Sequence, residues 1–276
     1  MIPKIIHYCW FGGKPLGEEE KKCIASWKKY FPDYEIKLWN EDNYNVNKIP
    51  YIEQAYRERK YAFVSDYARF DILYQYGGIY FDTDVEVIKP MDAIIQNGSY
   101  MGCEVSMNHT VAVAAGLGMA VEAGNDFFRE VLQYYQKLKF YVSGEQTNQT
   151  VVTNVTSLLK KRGLKNTKKI QKVGNIMIYP PEYFCPMNYM TNEIRITENT
   201  YTIHHYSASW LSDEERKKNE EIGRLSKYVG KFVAKVIVVY KYEIKERGCI
   251  SVFGYTFRKI KERMKRKKSL NENLKK

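Results

Sequence analysis

Apolar positions along the chain follow two rhythms. Lys4–Trp10 is a short apolar run of the kind that forms a buried strand, and Phe11-Gly12-Gly13-Lys14-Pro15 breaks it as a loop. Glu18–Phe31 then falls at helical spacing, with Ile24, Trp27 and Phe31 as its apolar stripe. It is acidic at its start and basic later, as the helix dipole favours. Pro32-Asp33 ends this helix and Tyr34–Trp39 reads as a second strand. Strand, helix and strand in close succession open an α/β domain.

The strongest periodic segment is Tyr61–Tyr76. Phe63, Tyr67, Phe70 and Tyr74 recur at i, i+4, i+7 and i+11, and Gly77-Gly78 supplies the helix stop. Ile79-Tyr80-Phe81 is a strand running into Asp82-Thr83-Asp84, and Val85–Ile88 continues extended to Lys89-Pro90. Further on, Gly98–Glu104, Ile176–Tyr179 and Tyr201–Tyr206 read as strands, and Asn125–Leu138 and Asn148–Leu159 as helices. The character changes near residue 212, where charge becomes dense and the pattern turns helical and lysine-rich. The expected organisation is a catalytic domain over 1–211 and a helical basic extension over 212–276.

Composition narrows the function classes. The chain has 276 residues, 44% of them apolar, and no apolar run of 18, which excludes a transmembrane helix. The N-terminus carries no charged n-region and no small-residue cleavage site, so no cleaved signal is expected. Five scattered cysteines without a C-x-x-C imply neither a zinc ribbon nor a disulfide framework, and a reducing cytoplasm is expected. The net charge is +12, but residues 258–276 alone hold ten Lys/Arg and two Glu. The body is close to neutral and the tail is basic, so a surface built for nucleic acid is not expected.

Asp82-Thr83-Asp84 is the first candidate for chemistry. On an extended chain, carboxylates at i and i+2 point the same way. At a strand end they reach a hard divalent cation such as Mn²⁺ or Mg²⁺. Ligand sites of α/β sheets lie at the carboxyl ends of strands. Asp66 and Arg69 share a helix face just before that strand, bordered by an aromatic stripe. Buried charges need partners, and sugar hydroxyls are suitable ones.

Ser65 to Asp84 as a whole resembles the sugar-binding DxD region of family 32 glycosyltransferases, a family that includes fungal Golgi mannosyltransferases and many bacterial capsule and O-antigen enzymes. The large clostridial glucosylating toxins share the same core. Ile2 to Gly13 resembles that family's opening strand, and His204-His205-Tyr206-Ser207-Ala208-Ser209-Trp210 its closing motif. The three motifs occur in family order across residues 2–210. The resemblance implies a GT-A fold: a Rossmann-like mixed sheet flanked by helices, here with the helical basic extension. It implies a retaining transfer of a hexose-type sugar from a nucleotide sugar, UDP-linked by preference, held with Mn²⁺ or Mg²⁺.

Carried over by position, Trp10 would stack on the base, Asp66 and Arg69 would hold the donor sugar, and Tyr80 would line the donor site. Asp82 would contact ribose and sugar and reach the metal through water, and Asp84 would ligate the metal directly. His204 and His205 alternate on a strand, so only one faces the site; His205 is expected as the second ligand, five residues before Trp210. Trp210 would donate its indole N–H to the β-phosphate. Ala208 stands where the toxins have serine, leaving Ser207 or Ser209 for the phosphate contact. His7 and His109 are expected to be structural.

Two other classes compete. A hydrolase would use Asp82 and Asp84 as an acid/base or metal pair, but glycosidase carboxylates flank the bond from different elements. A basic membrane- or RNA-binding adaptor would not need Asp66, Arg69, Asp82, Asp84, His205 and Trp210 together. The acceptor expected is a glycan or polyprenyl-linked chain in cell-surface polysaccharide synthesis. Leu225, Tyr228, Val229, Phe232, Val233, Val236, Ile237 and Tyr240 form one apolar face if 225–240 is a single helix. With eight Lys/Arg between Arg258 and Lys268, this segment is expected to lie on an anionic membrane surface, placing the protein at the inner face of the cell membrane.

Overall fold

The computed structural model describes residues 1–105, 110–142, 145–147, 149–188, 193–207 and 213–247. The chain divides into two compact units, Met1–Ser207 and Ala208–Lys276.

The first unit opens with β1 (Ile5–Cys9), α1 (Glu18–Tyr30) and β2 (Glu35–Trp39). Then come α2 (Pro50–Arg57), α3 (Tyr61–Tyr76), β3 (Gly78–Tyr80), β4 (Val85–Val87) and α4 (Asp92–Ile95). Next are β5 (Tyr100–Val105), β6 (Val111–Val113), a 3-10 turn at Ala115–Leu117, β7 (Met119–Val121) and α5 (Asp126–Gln136). Short strands β8 (Tyr141–Val142) and β9 (Glu145–Gln146) precede α6 (Val151–Lys161), β10 (Gln171–Val173) and β11 (Ile176–Tyr179). The unit closes with α7 (Pro181–Phe184), β12 (Met187–Asn188), β13 (Glu193–Ile194) and β14 (Thr202–His204).

The central sheet runs β10-β11-β5-β7-β3-β1-β2, with β6 added to β5. β1 pairs in parallel with β2 and β3, and β5 with β11, whereas β7 lies antiparallel between β3 and β5. This is the mixed sheet flanked by helices expected of the GT-A class. One face packs Tyr51, Tyr67, Phe70, Phe128 and Leu159 of α2, α3, α5 and α6. The other packs Ile24 and Trp27 of α1 with Phe81 and Phe184.

Helix α3 is buried almost all round, beyond its aromatic stripe: Val64, Arg69, Asp71, Ile72 and Leu73 are also inside. Its end is fixed by Gly77 at φ +64, where a Cβ would come within 2.8 Å of the Ala123 nitrogen. Buried Asp71 is held by Lys48 Nζ at 2.7 Å and by the Tyr44 hydroxyl at 2.9 Å, which braces α3 against the loop before α2.

Two expectations are corrected here. Asp82-Thr83-Asp84 is not extended: the Val85 N–H closes a turn on the Asp82 carbonyl at 3.1 Å, and β4 leaves the main sheet to pair with β14. The continuous helix across 225–240 is instead two, α8 (Asp213–Val229) and α9 (Lys231–Arg247), separated by Gly230 at φ +78. That backbone region is open to glycine at little cost, and it ends α8. α9 buries Ala234 and Val238, packs on α8, and leaves Val233, Val236, Ile237, Val239, Tyr240 and Ile244 exposed.

Candidate active site

The candidate residues gather at the carboxyl end of β3. The Asp82 N–H donates to the Gly116 carbonyl at 3.1 Å, placing the 3-10 turn against the carboxylate. A Cβ on Gly116 would lie 1.9 Å from Asp82 Oδ2, so only glycine leaves this carboxylate in place.

On the α3 side, one cation holds two carboxylates. Arg69 is 4% exposed, and its Nη2 lies 3.2 Å from Asp82 Oδ1 and 3.3 Å from Asp66 Oδ1. Its Nε donates to the Ser65 carbonyl at 3.0 Å, and its guanidinium stacks 5.1 Å from the Tyr80 ring centre. The Tyr80 hydroxyl donates to Asp82 Oδ1 at 3.0 Å. Burial pushes the Asp66 carboxyl up to about 7, although Arg69 and the Val151 N–H pull it down. Burial also opposes the charge on Arg69, but Asp82, Tyr80 and Asp66 outweigh it and keep the guanidinium charged.

On the β14 side, Asp84 is 9% exposed. His204 Nε2 lies 3.2 Å from its Oδ1, and the Ser207 N–H and hydroxyl reach its Oδ2 at 3.1 and 3.2 Å. Burial pushes this carboxyl up, but His204 and the hydrogen bonds win and hold it at about 2. Burial pulls His204 down, and Asp84 more than reverses this.

Ligand atoms of Asp82, Asp84 and His204 all lie within 4.8 Å of one another. Two carboxylates and one imidazole suit a divalent cation of the Mn²⁺ type, and the buried Nδ1 of His204 has no partner among the described residues. The donor set therefore fits the expected metal. The ring beside Asp84 is that of His204 and not of His205, the histidine expected there. The pairing Ile203↔Glu86 and His204↔Val85 puts His205 on the face of Ile203 and Glu86, where its Nε2 meets Glu86 Oε2 at 2.8 Å. His204, on the other face, turns to Asp84.

The remaining expected residues fall in different places. Trp10, just after β1, is half-buried; its indole donates to the Lys14 carbonyl at 2.6 Å, and no described contact joins it to the carboxylates. Ser209, Trp210 and His109 lie outside the described residues. His7 is buried between Trp39 Nε1, which donates to its Nδ1, and the Gly77 carbonyl, which accepts from its Nε2. Burial lowers it to about 4, so it stays neutral and structural. Gly116 is marked in the sequence only by the small-residue run Ala114-Ala115-Gly116 inside an apolar stretch. Glu104 at the end of β5, bonded by the Tyr206 hydroxyl at 3.1 Å, had no signal at all.

Residues 17–100 match the family described as glycosyltransferase sugar-binding region containing DXD motif. Inositol phosphoceramide mannosyltransferase 3 of Schizosaccharomyces pombe is 33% identical over 101 residues, 34% of this chain and 27% of that protein. Inositol phosphoceramide mannosyltransferase 1 of the same yeast is 28% identical over 111 residues, 36% of this chain and 33% of that protein. The chain thus spans a third or less of these curated relatives. The uncharacterized glycosyltransferase L373 of Acanthamoeba polyphaga mimivirus is 26% identical over 219 residues, 76% of this chain and 84% of that protein. Among solved structures, the PaToxG glycosyltransferase is similar at a TM-score of 0.42 and 21% identity, over 58% of this chain and 69% of that one. The matched region and the strand-end carboxylates are thus similar to those of DxD glycosyltransferases.

Proposed function

We propose that this protein is a metal-dependent, retaining glycosyltransferase of the family 32 type, moving a hexose from a nucleotide sugar to a glycan or lipid-linked acceptor. The observation that carries this reading is the meeting of Asp82, Asp84 and His204 beside the buried Arg69–Asp66 pair. Asp84 and His204 would hold Mn²⁺ or Mg²⁺, with Asp82 as the third group. The ion, when bound, supplies Lewis-acid neutralisation of the departing nucleoside diphosphate.

The chain's own residues do the rest by positioning and electrostatics. Arg69 offers its donors to sugar hydroxyls from a buried, rigid fork, and Asp66 accepts or donates there because its carboxyl titrates near neutrality. Gly116 and Tyr80 keep Asp82 aimed at the donor. Both carboxylates on the sugar side are engaged by Arg69, which makes them poor nucleophiles and favours front-face attack. In that step the anomeric C–O bond to phosphate breaks and the acceptor oxygen bonds the same face. The acceptor proton passes to the departing phosphate oxygen.

The named activity of the yeast relatives supports a mannose or other hexose donor and a lipid-linked acceptor, with a UDP-linked hexose as the other candidate. A lipid-linked acceptor agrees with the second unit, whose α9 exposes Val233, Val236, Ile237, Tyr240 and Ile244, and with the basic sequence beyond it. We place that unit against an anionic bilayer on the cytoplasmic side. Incubating the full chain with UDP- and GDP-sugars and Mn²⁺, read by mass spectrometry, should yield sugar transfer or slow donor hydrolysis that excess EDTA stops. Undiminished turnover in EDTA would contradict the metal-dependent reading. Co-sedimentation with phosphatidylserine vesicles should be lost in a chain ending near Glu221.

A further inference from the structure

Tyr206 has a backbone conformation that a residue with a Cβ adopts at a cost. Its φ is +52, and among the described non-glycine residues only Arg59 shares the left-handed region. Strain of this kind persists where the surroundings over-determine it. Here they do. The Tyr206 hydroxyl donates to Glu104 Oε2 on β5 at 3.1 Å and lies 2.9 Å from the Cys185 sulfur just after α7. Burial pushes the Cys185 thiol up to about 12, so it keeps its proton and can donate to the tyrosine oxygen. Two separate segments thus fix one side chain.

What that side chain presses on is His204. The two ring centres are 4.2 Å apart and the planes stand at 85°, an edge-to-face contact. Metal-binding histidines are normally oriented by a carboxylate or carbonyl on their other ring nitrogen. The Nδ1 of His204 is buried and has no such partner among the described residues. Its Nε2 is the atom turned toward Asp84. A ring held at one nitrogen alone can rotate, and the Tyr206 ring is the surface that stops it.

We propose that Tyr206 is a positioning residue for the metal ligand His204, locked by Glu104 and Cys185, so that aromatic packing replaces the usual second hydrogen bond. This rests on reading Asp82, Asp84 and His204 as the metal site.

The test is Mn²⁺ binding to the full chain without sugar donor, followed by electron paramagnetic resonance, with spin-echo modulation reporting the imidazole nitrogen. Tyr206→Leu should weaken Mn²⁺ by roughly tenfold to a hundredfold and diminish the nitrogen modulation, while the metal-free thermal midpoint stays near wild type. Tyr206→Phe, which keeps the ring and loses only its tether, should fall between. Should Tyr206→Leu not fold, Tyr206→Asn removes the ring while tolerating the left-handed backbone, and the same loss is expected. Wild-type affinity and modulation in Tyr206→Leu or Tyr206→Asn would overturn the positioning role and leave the metal site standing. Absence of Mn²⁺ binding by the wild-type chain would overturn both.

Discussion

The α3 side and the β14 side of the site treat their carboxylates in opposite ways. Asp66, on α3, is lifted toward neutrality by burial and shares Arg69 with Asp82. Asp84, before β4, is driven well into the ionised range by His204 and two hydrogen bonds from Ser207. Two carboxylates with pKa values pushed apart mark a division of labour. The α3 side is suited to uncharged hydroxyls, and the β14 side to a cation. Asp82 sits between them and belongs to both sets.

Asp84→Asn should break this contrast most severely. Transfer should fall by about a thousandfold, and nucleotide binding should lose its dependence on Mn²⁺. The fold, followed by circular dichroism, should survive. Retained metal-dependent nucleotide binding would place the cation elsewhere.

Arg69→Lys probes the other side. Lysine cannot reproduce a fork reaching both Asp66 and Asp82. The turnover number should drop roughly a hundredfold, while affinity for the free nucleoside diphosphate changes little. Equal losses with nucleotide sugar and free diphosphate would make the pair a brace for α3 and not a sugar contact.

A smaller effect concerns pH. The folded pKa of Asp66, about 7, lies above the ordinary value near 4. Between these limits the unfolded chain has lost the proton that the folded chain keeps, so stability declines as pH rises through that window and levels off above it. The slope is about 1.4 kcal/mol per pH unit at most. Asp66→Asn should flatten the midpoint of urea unfolding across pH 4 to 7 once other groups, His7 included, are matched by comparison with wild type. An unchanged slope would show that Asp66 is ionised throughout.

The legible parts of the fold were those with a long or uninterrupted apolar rhythm. β1, α1, β2 and α3 fall within a residue or two of the pattern, because each buries a full stripe or run. α2 and β7 carry too little pattern to be legible: α2 is one short amphipathic stretch beginning at Pro50, and β7 is three residues whose partners, β3 and β5, are distant in sequence. Spacing and resemblance single out Asp66, Arg69, Asp82 and Asp84 as candidates, and the structure brings all four together. The choice between His204 and His205 was not available from alternation alone. It depends on the turn at Asp82–Val85, which takes Asp84 out of the alternation of β4 and leaves its carboxylate beside His204, a tertiary fact. Glu104, Cys185 and Tyr206 converge from three segments, and no local pattern announces such a meeting. The break at Gly230 was readable in principle, since a glycine inside a helical pattern marks a stop when it takes a left-handed φ.

On the proposed reading Asp84 and His204, not His205, hold the cation. Mn²⁺ titration of the wild-type chain, His204→Ala and His205→Ala, in the presence of a nucleoside diphosphate, tests it most directly. His205→Ala should bind Mn²⁺ within a few-fold of wild type, because its ring is occupied with Glu86. His204→Ala should weaken binding by at least about tenfold. Near-normal binding by His204→Ala together with loss in His205→Ala would contradict it.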